Sequence, residues 1–283
     1  MIAEILNALS YSFMQRALFA SLLIAIPSAL LGFFIFMKKI SMIGDGIAHI
    51  SLLGIVLGII TKFNHIISAV TVSSVVTFLI EYLRMKKILR SDVSLAILFV
   101  FSLSLVGILI AKFKLYSTDL FGLFFGSILG IPEEDLVIML VLSVISTITI
   151  LLFRYYFFFI AYDEESAFAS GINIKIYNYL FAILLGIVIA FSIKIAGVLL
   201  ITALLIIPSL ISSNISNKFD KGIILSVLIS SFSCVIGVIL AYLFDIPVGA
   251  SITILLILAL VISHFQQSLK VFFNKIHMLK VGG

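Results

Sequence analysis

The sequence predicts an all-α polytopic membrane protein, with about eight or nine transmembrane helices and a re-entrant segment. Three observations carry this. Of 283 residues, 63% are hydrophobic and 11% charged, with a mean hydropathy of +1.35, whereas a soluble domain carries about 25% charged residues. Uncharged runs of about 20 residues, enough to cross a hydrocarbon core, recur from end to end. Lys and Arg gather between alternate runs, as they do in cytoplasmic loops. A water-soluble enzyme is thereby excluded, and so is a large extramembrane domain, because the longest polar stretch is the short segment 162–175. Residues 1–283 therefore form a single transmembrane domain.

The crossings are delimited by charge. Run 17–37 stops at Lys38 and Lys39, and run 46–61 follows Asp45, contains His49 and stops at Lys62. Run 63–80 ends at Glu81, 93–111 lies between Asp92 and Lys112, and 136–153 between Asp135 and Arg154. Runs 176–193 and 195–217 are separated by Lys194, the only charge between residues 179 and 212. One helix over that stretch would be about 51 Å long against a core of about 30 Å, so two are expected. Runs 222–244 and 246–263 meet at Asp245. With the N-terminus outside and the C-terminus cytoplasmic, 13 of the 18 Lys and Arg fall inside, leaving Arg16, Lys62, Lys112, Lys114 and Lys194 outside. The net charge of +5 is thus a topology signal and no sign of nucleic acid. The first residues lack the basic region and cleavage site of a removed signal peptide.

Segment 121–130, FGLFFGSILG, is too short to cross and holds three glycines. It is either a re-entrant piece at a pathway mouth, which needs protein or water around it, or an interfacial helix. Gly54 and Gly58 form a small-xxx-small pair that suits close helix packing. The lone cysteine, Cys234, allows neither an intrachain disulfide nor a thiolate metal cluster.

Two segments carry candidate chemistry. In MKKISMIGDGIAHISLL (37–53), Asp45 and His49 are four apart and share one helix face. Ionisable groups in a span are costly and mark ion paths, and a carboxylate with an imidazole suits a borderline divalent metal. The competing reading makes Asp45 a helix N-cap and His49 a first-turn interfacial residue. Segment 162–175 is short and acidic, and its apolar positions Ala167, Phe168, Ile172 and Ile174 suggest a small amphipathic helix broken at Gly171. It is either a partner-docking helix or a solvated loop. No Walker loop, H-E-x-x-H or G-x-S-x-G occurs, so the chain neither binds ATP through such a loop nor carries a common hydrolytic motif. His65, His264 and His277 read as structural or solvated, and Glu81 as interfacial.

MIGDGIAHISLLGIVLG (42–58) resembles the GDxxxH signature of the membrane permeases of zinc, manganese and iron uptake ABC transporters, the ABC-3 type. LFFGSILGIPEEDL, the stretch from DEESAFASGINIK to ITALLIIP, and FDIPVGASITI resemble later landmarks of that family in the same order. The likeness spans residues 13–264. A fainter likeness joins the chain to the larger permeases for cobalamin and iron-siderophores, implying a shortened form of that type II importer fold. The resemblance implies a homodimer of permeases in the cell membrane, docked to separate cytoplasmic ABC ATPase subunits. An extracellular or periplasmic metal-binding protein would deliver the ion, with no permanently bound cofactor and membrane lipid around the assembly. The transported ion would be a divalent transition metal, Zn, Mn or Fe, moved by alternating access.

By the same resemblance, Asp45 and His49 take the metal-pathway role, and Asp163, Glu164, Glu165, Phe168 and Gly171 the ATPase-coupling role within cytoplasmic loop 162–175. The sequence departs from the family at Ser91, where an acidic residue is usual, and at Ala96, where a glycine is usual. The rival from another class is an ATPase-independent secondary transporter or channel. Such proteins place ionisable residues at the midplane of several helices, whereas here most charges lie in loops.

Overall fold

The structure is a computed structural model that describes residues 10–88, 91–115, 120–127, 131–216 and 218–281. Among these residues every regular element is a helix: α1 (Ser12–Lys38), α2 (Ile43–Thr61), α3 (His65–Met85), α4 (Ser91–Phe113), α5 (Leu120–Phe125), α6 (Glu133–Tyr162), α7 (Glu164–Ala169), α8 (Ile174–Ala196), α9 (Val198–Ile215), α10 (Phe219–Phe244) and α11 (Val248–Val281). All but α5 and α7 are long and apolar enough to cross a membrane, which gives nine spans among the described residues.

The helices form an inner and an outer set. The most apolar windows of α1, α2 and α8 are 78%, 72% and 72% buried, against 17% for α4 and 22% for α6. Helix α1 packs against α6, α8, α9 and α10, and α2 against α3, α4, α8 and α9, so these two helices bind the bundle together. The outer helices turn Ile97, Val100, Ile145, Leu152, Phe232 and Val261 outward. In water such a surface would aggregate, whereas in lipid it is matched to its solvent.

Close packing explains several residue choices. A Cβ at Gly54 would lie 2.6 Å from Ala69 Cα, and one at Gly58 would lie 2.9 Å from His65 Cα, so the pair does let α3 press onto α2. Buried hydroxyls add bonds between helices: Ser143 donates to Leu23 O at 2.7 Å, Ser230 to Ala25 O at 3.1 Å and Ser73 to Gly186 O at 2.9 Å. Such bonds contribute about 1 kcal/mol each within a bilayer.

The stretch around Lys194 is two helices, but they part at Gly197 rather than at the lysine. Gly197 has φ +73°, and its N–H bonds Ile193 O as the α8 cap. Lys194 stays helical because its charge is matched by Asp135 of α6. The short helix α5 fills the notch at this break, packing on α8, α9 and α11. Gly126 and Gly197 make the fit possible: a Cβ on Gly126 would strike the Ile195 carbonyl, and one on Gly197 the Phe124 carbonyl. A segment packed into protein in this way is not the free interfacial helix that was one of its two readings. Residues 128–130 of that segment lie outside the described residues.

Candidate functional site

The turn from α1 to α2 places the aspartate and histidine. Lys39 ends α1 in the left-handed region (φ 56°), and α2 starts behind Met42, which provides no side-chain cap. Asp45 is the third residue of α2, so its reading as the N-cap is overturned. Its carboxylate accepts a hydrogen bond from the hydroxyl of Thr202 on α9. The two glycines flanking Asp45 have a steric reason. A Cβ on Gly44 would crowd Thr202 Oγ1 at 3.1 Å, and one on Gly46 would crowd Leu95 Cδ2 at 3.2 Å. Thus α9 closes on one side of the aspartate and α4 on the other.

His49 lies one turn deeper and is 7% exposed. Its ring meets Phe99 edge-on, with centroids 4.4 Å apart, and its buried Nδ1 has no hydrogen-bond partner. An orphaned imidazole nitrogen in an apolar wall is costly, and such a group calls for a ligand or a proton partner. Asp45 lines a half-open cavity of about 390 Å³ together with Met42, Gly46, Leu95, Ala96 and Phe99. Ala96, the family departure, is therefore part of this cavity's wall. Among the described residues no group of three or more His, Cys, Asp and Glu gathers to hold a metal. One chain thus offers two candidate ligands, the positive end of a helix behind the carboxylate, and a cavity that Asp45 lines.

The acidic segment forms α7, a single short helix. Asp163 caps it, accepting from the backbone N–H of Glu165 at 3.0 Å and of Ser166 at 3.1 Å. The Ser166 hydroxyl and these N–H groups hold the Asp163 carboxyl below its ordinary pKa. Ala167 is buried with Ile160 and Ile174, which seats the helix on the bundle, while Phe168 is 73% exposed. Gly171 closes the segment with φ +81° and open space around its Cα. Glu165 is exposed, whereas Glu164 turns inward to Asn178 Nδ2 at 2.9 Å and Arg84 at 3.6 Å. Five residues expected to act together thus divide into a cap, an inward anchor, two exposed side chains and a turn.

The sequence reading missed two groupings. At the end of the bundle opposite Asp163, buried Asp135 is bonded to Lys194 and lies 3.4 Å from His65 Nε2, with Asn64 Nδ2 at 3.3 Å. His65 is therefore part of an ion-pair cluster joining α3, α6 and α8. At the α7 end, Lys38, Asn178, Glu164, Arg84 and Glu81 connect through side chains. Each grouping joins residues far apart in sequence. The only local signal was a polar residue interrupting an apolar run.

The sequence model of the ABC 3 transport family matches residues 10–267. The manganese transport system membrane protein MntC of Listeria monocytogenes is 29% identical over 246 residues, covering 87% of this chain and 88% of its own. The manganese import system permease protein ScaB of Streptococcus gordonii is 30% identical over 266 residues, covering 94% and 95%. Among solved structures, PsaBC from Streptococcus pneumoniae in complex with Fab superposes with a TM-score of 0.83 at 30% identity, covering 93% of this chain and 95% of that one. An ABC transporter described as of metal-chelate type, in an inward-facing conformation, superposes with a TM-score of 0.72 at 17% identity over 89% and 85%, a likeness of fold alone.

Proposed function

The chain belongs to the ABC 3 transport family, and on that premise we propose that it is the membrane permease of an ATP-driven importer for a divalent transition metal, manganese first. The family is one of transport permeases, so ATP hydrolysis falls to another subunit. The observation that carries the substrate class is the pairing of a carboxylate that lines a half-open cavity with an unpartnered imidazole nitrogen one turn along α2. Oxygen and imidazole donors suit Mn²⁺, Fe²⁺ and Zn²⁺, and a partial ligand set leaves positions for water or for a second copy of the chain. Such a site binds weakly enough to release its ion, as conduction requires. The names of the relatives favour manganese among these ions.

In this reading two permeases pair, a metal-binding protein delivers the ion from outside, and Asp45 and His49 hold it in transit. Exposed Phe168 on α7 is the contact for a cytoplasmic ATPase, whose closure rocks the permeases to open inward. The test is uptake of Mn²⁺, Fe²⁺ and Zn²⁺ by cells carrying the chain with and without its ATPase. Mn²⁺ uptake should require both. Equal uptake without the ATPase would overturn the importer reading in favour of a secondary carrier or channel.

A further inference from the structure

Beyond the docking role of α7, and resting on it, we propose that Asn178 is a positioning residue that links the ATPase-docking helix to the turn carrying the metal ligands. Asn178 lies in the first turns of α8 and is 2% exposed. Both ends of its carboxamide are used. Nδ2 donates to Glu164 Oε1 at 2.9 Å, and Oδ1 accepts from Lys38 Nζ at 2.8 Å. A neutral amide thus bridges an anion on α7 and a cation at the end of α1, each pole facing the matching charge.

The bridge is fixed on both sides. Lys38 Nζ also sits 4.7 Å from the centre of the Phe181 ring. Glu164 also faces Arg84, which is forked onto Glu81 at 2.6 and 2.8 Å. These four charges, two of each sign, line a cavity of about 230 Å³ together with Ile43 of α2 and Leu95 of α4. Leu95 also lines the cavity beside Asp45. Moving α7 alone would pull Glu164 off the buried amide Nδ2, and carrying Asn178 along without Lys38 would strip the amide oxygen of its ammonium, so both losses are avoided only when Glu164, Asn178 and Lys38 move together. Lys38 is the last residue of α1, and α2 begins at Ile43, two residues before Asp45. A displacement of the docking helix therefore passes through Glu164 and Asn178 to the turn that orients Asp45.

The experiment uses the complete transporter, with permease, ATPase and metal-binding protein, reconstituted in liposomes. It reads Mn²⁺ uptake and the stimulation of ATP hydrolysis by the loaded binding protein. Asn178→Asp keeps the acceptor for Lys38 but sets a carboxylate against Glu164, cutting the bridge only on the α7 side. We expect roughly a tenfold loss of stimulated hydrolysis and uptake, within the usual range of coupling between sites, with basal hydrolysis and ATPase assembly unchanged. Adding Glu164→Gln supplies an amide donor for the new carboxylate and should restore both activities, which a loss of packing would not permit. Wild-type stimulation in Asn178→Asp, or no recovery in the double variant, would overturn the link. Phe168→Asp separates this from the docking reading. If it blocks ATPase assembly while Asn178→Asp transports normally, the link fails and docking stands; if it has no effect, docking itself fails.

Discussion

The hydroxyl of Thr202 is bonded to the carboxylate of Asp45, fastening α9 to the first turn of α2 across 157 positions of sequence. Asp45 is thereby oriented by tertiary structure and not by its own helix end, which separates its stability role from its charge. Asp45→Asn keeps an acceptor for Thr202 and removes the charge that attracts a cation. The variant should insert and melt within about 2 °C of wild type, because it loses no cap. Mn²⁺ uptake at limiting metal should fall to background. Normal uptake at normal membrane abundance would remove Asp45 from the ion path.

Thr202→Val tests the orienting bond itself. The methyl group fills the space of the hydroxyl, and the carboxylate keeps its charge but loses its tether. Groups that orient a metal ligand are typically worth a factor of ten or more in affinity, so half-saturating Mn²⁺ should rise about tenfold with maximal uptake less affected. An unchanged concentration dependence would make the bond incidental.

His49→Gln replaces an imidazole with a polar chain of similar reach. Because Nδ1 is buried without a partner, removing the ring breaks no hydrogen bond at that atom. Thermal stability should hold while uptake is lost, as expected of a group kept for a ligand. A large fall in melting temperature with uptake retained would assign His49 to packing against Phe99.

At the opposite end of the bundle, Asp135 is buried and depends on Lys194 and His65. Lys194→Met should cost about 3 kcal/mol, since breaking a buried pair leaves one charge uncompensated. Combining it with Asp135→Leu should recover most of that loss. Melting curves of the purified protein in one detergent decide it; a double variant no more stable than the single would show that the pair is not the source of the effect.

The sequence made the nine spans legible because charge is so costly in hydrocarbon that charged residues bracket every crossing. The same rule misplaced the α8–α9 break at Lys194. A lysine matched by a buried aspartate from another helix does not end a span, and the chain turns only at Gly197. The Asp45–His49 pair was visible as a spacing of four. Spacing could not choose between cap and pathway, because Thr202, and Leu95, Ala96 and Phe99 of the cavity wall, are supplied by other helices.

 Likewise α7 was legible from its acidic and apolar pattern, whereas its anchors Lys38, Arg84 and Asn178 belong to three other helices.

Orientation in the membrane is the last prediction, and it decides which side α7 and the Asp45 turn face. The structure brings Lys38, Arg84 and Glu164 together at one end, and Arg16, Glu133, Asp135 and Lys194 at the other. Chain order then requires Lys86 and Lys114 to lie on opposite sides, because α4 runs between them. The first end carries the greater share of basic residues, so by the positive-inside bias it should be the cytoplasmic one. Single cysteines placed at Lys86 and at Phe168 in a Cys234→Ser background should react with a membrane-impermeant maleimide only after the membrane is opened. One at Lys114 should react in intact cells. Labelling of Lys86→Cys from outside would invert the protein and carry α7 away from any cytoplasmic ATPase. Labelling of both lysine positions from one side would break the nine-span path itself.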